Sequence, residues 1–125
     1  MLNRIGWIQV FVSDMDRAVE FYADTLGIGV RARSPDFPDF VELATEGAIL
    51  ALNRPGDEWP QGKGLIGRVT GITLTVPDIE TAYRSLSAKG VRFSGPPAKQ
   101  PWGAMMTSLF DPDGNELSLL EWNPG

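Results

Sequence analysis

The chain has 125 residues, the size of one ordinary domain, and contains neither Cys nor His. These absences exclude disulfides, thiolate and imidazole metal ligands, and any nucleophilic site that depends on His. With 11 basic against 16 acidic residues the formal net charge is -5, so we expect no nucleic-acid partner, whereas a cationic small molecule would be attracted. We also expect a cytoplasmic protein without membrane association, because no apolar run approaches the ~20 residues of a spanning helix.

The first half of the chain predicts a strand, a helix and three further strands. Apolar residues alternate over 7–12, and Ser13 and Asp14 are candidates for the N-cap of a helix that ends at Gly27. Its predicted buried face is formed by five apolar residues, Met15, Ala18, Val19, Tyr22 and Leu26. The three strands are expected at about 28–34, 38–45 and 48–53. A two-residue turn at Glu46-Gly47 would place Glu42 opposite Ala51.

The second half repeats this pattern. Residues 71–86, GITLTVPDIETAYRSL, correspond to residues 7–22, WIQVFVSDMDRAVEFY, and the second helix is expected to begin at Asp78 and end at Lys89-Gly90. Strands are expected at about 91–94, 103–110 and 115–121, with the last two joined by a turn at Asp111-Pro112-Asp113-Gly114. The sequence therefore predicts two tandem βαβββ modules, about 1–53 and 69–122, joined by a Gly- and Pro-rich linker at about 54–68, within a single domain spanning 1–125.

The modules, together with FYADTLG at the end of the first helix and DPDGNEL before the last strand, resemble the vicinal oxygen chelate superfamily, which includes glyoxalase I, extradiol dioxygenases and bleomycin-resistance proteins. The resemblance implies an α+β fold, in which a cupped eight-stranded mixed sheet carries the helices on its outer face. It also implies a homodimer. The positions that hold the family's divalent metal correspond here to Trp7, Ala51, Gly71 and Ser118.

None of these four residues suits a metal. Trp, Ala and Gly side chains offer no ligand of the required kind, and a neutral Ser hydroxyl is a poor sole anchor. We therefore expect no metal and no cofactor, as in a metal-free, bleomycin-resistance-like branch. Because most activities of the family depend on the metal, the sequence favours a binding protein over an enzyme without deciding between them.

The expected function is metal-independent binding of a small planar or cationic ligand in the cup. Trp7 is interpreted either as a stacking platform for that ligand or as a ring that fills the empty metal position. Trp59, in the linker, either anchors an ordered lid or belongs to a plain packed loop. The predicted ligand-binding residues are Trp7, Gln9, Phe11, Glu42, Ala51, Asn53, Thr73, Trp102, Met105 and Ser118.

The alternative is a metal-independent isomerase or lyase. Glu42 and Glu116 are its weak candidates for the base, because they are the carboxylates that the expected registers place in the cup. The sequence gives no residue set that identifies a substrate.

Overall fold

The first of the two structural units comprises Met1–Gly67. A computed structural model describes residues 1–122. In the first unit the elements are β1 (Trp7–Phe11), α1 (Met15–Val19) continued by a π-helical segment (Glu20–Thr25), β2 (Val30–Ser34), β3 (Phe37–Leu43), β4 (Ile49–Asn53) and a short helix α2 (Pro60–Lys63). The sheet has the order β1-β4-β3-β2, with β1 parallel to β4 and the other neighbours antiparallel.

The second unit begins at Arg68 and repeats the arrangement. Its elements are β5 (Val69–Val76), α3 (Ile79–Ala88), β6 (Arg92–Phe93), β7 (Ala98–Lys99), β8 (Met105–Phe110) and β9 (Glu116–Glu121). The sheet has the order β5-β9-β8-β6, β7 pairs with β8, and β5 is parallel to β9. The α+β class and the βαβββ repeat are confirmed. Within residues 1–122 the strands form two hydrogen-bonded sheets of four and five strands, and the short β7 was not predicted.

Helices α1 and α3 begin at the predicted aspartates. The Asp14 carboxylate accepts the backbone N–H of Arg17 at 3.0 Å, and Asp78 accepts that of Thr81 at 3.2 Å. These bonds satisfy N–H groups that a helix start leaves without an intrahelical partner. The first helix ends before Gly27, whose φ of 76° suits glycine.

The buried face of the first helix differs from the prediction. The N–H of Leu26 donates to the carbonyl of Phe21, five residues back, at 2.9 Å. This wider turn rotates the residues that follow it relative to a regular α-helix. Phe21 and Tyr22 are consequently both buried, with their rings edge to face, whereas Leu26 is only half-buried.

The core of each unit lies on one face of its sheet, the face formed by alternate apolar residues of the strands. Six of those residues are at most 3 % exposed, namely Val10, Val12, Leu50, Leu52, Leu117 and Leu119. Ile72, Leu74 and Val76 are only half-buried, and Ile8 is 38 % exposed, so the burial of this face is incomplete. No helix within residues 1–122 has the length and apolar character needed to cross a membrane.

The DPDG turn is stabilised by a buried network. Oδ1 of Asp111 accepts the N–H groups of Asp113 and Asn115, each at 2.9 Å, and Gly114 has a φ of 83°. The Asn115 amide donates to Oδ2 of Asp111 at 2.9 Å. Asp111 and Asn115 are at most 2 % exposed, so these bonds compensate the cost of burying them.

Candidate ligand-binding site

Three strands of the first unit bring six of the predicted site residues onto one sheet face. Gln9 and Glu42 are the neighbours of Ala51 on either side, which confirms the register predicted from the Glu46-Gly47 turn. In the next row Asn53 lies between Phe11 and Phe40. Cross-strand partners project to the same side of a sheet. We call this surface the ligand face and define it by Trp7, Gln9, Phe11, Phe40, Glu42, Ala51 and Asn53.

Trp7 and Phe40 meet across the ligand face. Their ring centroids are 5.2 Å apart at an interplanar angle of 76°, an edge-to-face arrangement. The registers place Ala51 between them, and Ala51 has no exposed surface. Trp7 itself is 53 % exposed. Its indole therefore lies beside the buried Ala51, one of the family's metal positions, and still has a surface open to solvent. Ala51, predicted to touch a ligand, is instead covered by its neighbours.

Polar side chains of the ligand face are held by specific partners. The Asn53 amide donates to Oε1 of Gln9 at 2.9 Å, and Nε of Arg31 donates to Oε1 of Glu42 at 3.2 Å. Arg31 was missed by sequence analysis. It lies at an irregularity between Val30 and Ala32 in the pairing of β2 with β3, and no local motif marks such a shift in register.

Trp59 packs at the end of the ligand face. Its ring lies 5.6 Å from that of Phe11, at 67°, and is only half-exposed. A Cβ atom at Gly62 would collide with the indole ring and would approach Pro55 at 2.8 Å, so the ring occupies space that only glycine leaves open. Trp59 is thus packed within the first unit, an arrangement that both the ordered lid and the plain packed loop would give.

The second unit contains the other predicted residues. Ser118 pairs with Thr73 on one side and Ser108 on the other, so these small polar side chains share one face. Met106 pairs with Leu120 and belongs to that face, whereas Met105 alternates to the opposite one. Met105 therefore faces away from Ser118, and Met106 lies on the face where Met105 was expected. Trp102 lies in the turn before β8 and is 65 % exposed.

The family's metal positions do not provide a donor set here. Trp7 is engaged with Phe40, Ala51 is buried, and Gly71 lies in an interruption of the β5–β9 pairing with a φ of 74°. Ser118 contributes a single neutral hydroxyl. Among residues 1–122 no three acidic side chains are grouped so that they could hold a metal ion. These residues do not fit the divalent ion of the family.

The two candidate bases lie in different units. Glu42 is paired with Arg31, and its side chain is only 21 % exposed. Glu116 lies opposite Phe110, whose ring is covered by the Arg92 guanidinium at 5.3 Å. The carboxylate of Glu42 is thus paired with an exposed guanidinium, an arrangement suited to binding as much as to proton transfer.

The comparisons with known proteins agree with this architecture. The family model of the Glyoxalase/Bleomycin resistance protein/Dioxygenase superfamily matches residues 4–119. The chain belongs to this superfamily. A crystal structure of a member from Sphaerobacter thermophilus DSM 20745 is 35% identical, with a TM-score of 0.84, over 98% of this chain and 99% of that one.

Two further similar proteins have names that indicate a function, one of them binding and the other catalysis. TnmS3, an antibiotic binding protein from Streptomyces sp. CB03234, is 28% identical with a TM-score of 0.77, and the match covers 96% of each chain. A probable lactoylglutathione lyase of Synechocystis sp. is 28% identical over 120 residues, 88% of each protein.

Proposed function

We propose that this protein binds a small planar ligand on the ligand face without a metal ion. The observation that carries the proposal is the indole of Trp7, braced at its edge by Phe40 and left 53 % exposed. An aromatic surface that is already fixed in place loses little conformational freedom when a flat molecule stacks on it.

The surrounding polar groups would orient such a ligand. Gln9 and Asn53 are held together by their hydrogen bond, and Glu42 and Arg31 by their ion pair, so donors and acceptors are in defined places beside the indole. A mostly apolar surface with a few fixed polar groups is typical of small-molecule sites. The antibiotic binding protein TnmS3, 28% identical to this chain, is named for a function of this kind.

Titration with N-methylquinolinium, a planar cation, tests the proposal by calorimetry and by the indole N–H signals of the labelled protein. We expect Trp7→Leu to weaken binding about tenfold, because stacking on one aromatic side chain contributes ~1–3 kcal/mol. Trp122→Leu is the matched control, since Trp122 is similarly exposed and lies outside the ligand face. Equal affinity of Trp7→Leu and the original protein would overturn the proposal.

The enzymatic alternative is supported by the relative named probable lactoylglutathione lyase. It predicts metal-independent turnover, with Glu42 or Glu116 as the base. We would follow formation of S-lactoylglutathione from the hemithioacetal of methylglyoxal and glutathione by absorbance, after treatment of the protein with a chelator. Loss of any turnover in the double variant Glu42→Gln, Glu116→Gln would support the alternative, and turnover unchanged in that variant would exclude these bases.

We also propose a cytoplasmic homodimer. The support for the homodimer is the family resemblance, and light scattering after size exclusion tests the oligomeric state.

A further inference from the structure

A groove of about 390 Å³ lies between the beginning of β3 and the segment that follows β4. Its lining includes Phe40 and Asn53, so it continues the ligand face. The residues that give it its chemical character are Asp36, Phe37, Asp39, Arg54, Glu58 and Trp59. We call it the acidic groove. Its volume is within the range of small-molecule sites.

The charges of the acidic groove do not balance. Nε of Arg54 donates to Oδ1 of Asp39 at 2.8 Å, and this hydrogen bond raises the pKa of Arg54, so the one guanidinium in the lining is committed to one carboxylate. Within residues 1–122 neither Asp36 nor Glu58 has an ion-pair partner. The charge of Glu58 also acts on Arg54, but the lining still holds three carboxylates against one guanidinium, a net charge of -2.

Aromatic rings form the other part of the lining. Trp59 is fixed by Phe11 and by the space that Gly62 leaves, and Phe37 is 72 % exposed. The Glu58 carboxylate lies over Gly56, where a Cβ atom would collide with it. The faces of aromatic rings attract cations, and a nearby carboxylate adds a direct charge interaction.

We infer that the acidic groove binds an organic cation, namely the protonated amine or quaternary ammonium group of a ligand. The inference rests on the proposed function, because the groove extends the ligand face through Phe40 and Asn53. An organic cation fits better than a metal ion, since ring faces can stabilise an ammonium group but do not complete an oxygen coordination sphere.

The test compares benzylammonium with benzyl alcohol, which has similar shape and no charge. Both are titrated into the labelled protein while the indole N–H signals of Trp7 and Trp59 are followed. We expect benzylammonium to shift the Trp59 signal and to bind at least about fivefold more tightly than the alcohol. The double variant Asp36→Asn, Glu58→Gln should reduce that preference to less than about twofold. Glu20→Gln with Asp24→Asn removes the same charge from a helical segment away from the groove and should preserve the preference.

The inference would be overturned by equal binding of the two probes, by no binding of benzylammonium, or by a preference that survives the groove variant. A shift confined to Trp7 would also overturn it while leaving the planar-ligand proposal in place. If N-methylquinolinium binding is insensitive to Trp7→Leu but benzylammonium still shifts Trp59, the proposed ligand face fails and the acidic groove stands.

Discussion

Trp7 and Phe40 meet edge to face at 5.2 Å over the small side chain of Ala51. Two of the family's metal positions, Trp7 and Ala51, are thereby used for an aromatic contact. The contact depends on the small size of Ala51, because a larger side chain at this position would compete with the rings for the same space. The ligand face is organised around this contact.

Enlarging Ala51 should therefore destabilise the protein. We expect Ala51→Leu to lower the free energy of unfolding by about 1–3 kcal/mol, because a fully buried site must accept three additional carbon atoms. Urea unfolding followed by circular dichroism measures the change. Ala32→Leu is the matched control, since Ala32 is exposed on β2 and should tolerate the change within about 0.5 kcal/mol. An Ala51→Leu protein as stable as the original would show that the rings do not close over this position.

Gly62 and Trp59 should be energetically coupled. We expect Gly62→Ala to cost about 1–3 kcal/mol of stability, because the added methyl group meets the Trp59 ring and Pro55. In a Trp59→Leu background the same change should cost less, since one of the two obstacles is removed. A double-mutant cycle by urea unfolding measures the difference.

Gly64 provides the control for that cycle. A Cβ atom there has its nearest contact with the carbonyl oxygen of Gln61 at 3.4 Å, and its backbone conformation is helical. Gly64→Ala should therefore be tolerated. Additive effects of Gly62→Ala and Trp59→Leu would contradict the packing described for the acidic groove.

Most of the fold could be predicted because its signals are local. The Glu46-Gly47 turn fixes which residues of β3 and β4 pair, and the carboxylates of Asp14 and Asp78 cap helices a few residues away. Strand alternation then assigns the buried face. These features depend on neighbours in the sequence, which is why they agree with the structure.

The site was harder to predict where strand pairing is irregular and where the face of a strand depends on its partner strand. Between Val69 and Thr73 the strand β5 advances by four residues while β9 advances by two, so simple alternation does not apply around Gly71. A glycine inside a strand pattern is the available signal for such an interruption. Met105 was expected on the other face for a different reason, since the face of β8 is fixed by the pairing of Ser108 with Ser118, and not by local pattern.

Stability should depend on pH through the Asp78 cap. Hydrogen bonds from the backbone N–H and hydroxyl of Thr81 lower the pKa of the Asp78 carboxyl below its ordinary value. A lowered folded-state pKa means that the contribution is present above the unfolded pKa, about 3.9, and is lost as pH falls through the folded value. The variant Asp78→Asn keeps a capping oxygen but cannot titrate.

The stability advantage of the original protein over the Asp78→Asn variant should therefore shrink as the pH is lowered from about 7 to about 2.5. Urea unfolding of both proteins across this range measures it. Asp24→Asn, on the first helical segment, controls for the general effect of removing a carboxylate. An advantage that grows on acidification would contradict the sign derived from the hydrogen bonds to Thr81.

Metal content provides the most direct check on the prediction that the family's metal positions bind no metal ion in this protein. Because Trp7, Ala51, Gly71 and Ser118 offer no adequate donor set, we expect less than roughly one-tenth of an equivalent of bound metal in protein purified without an affinity tag. Soaking in zinc, nickel or manganese followed by dialysis should not change this, and a chelator should leave the melting temperature unaltered, since a ligand that does not bind cannot stabilise. Elemental analysis gives the measurement. A stoichiometric metal would mean that other oxygen ligands form a site, and the enzymatic alternative would then replace metal-free binding as the leading function.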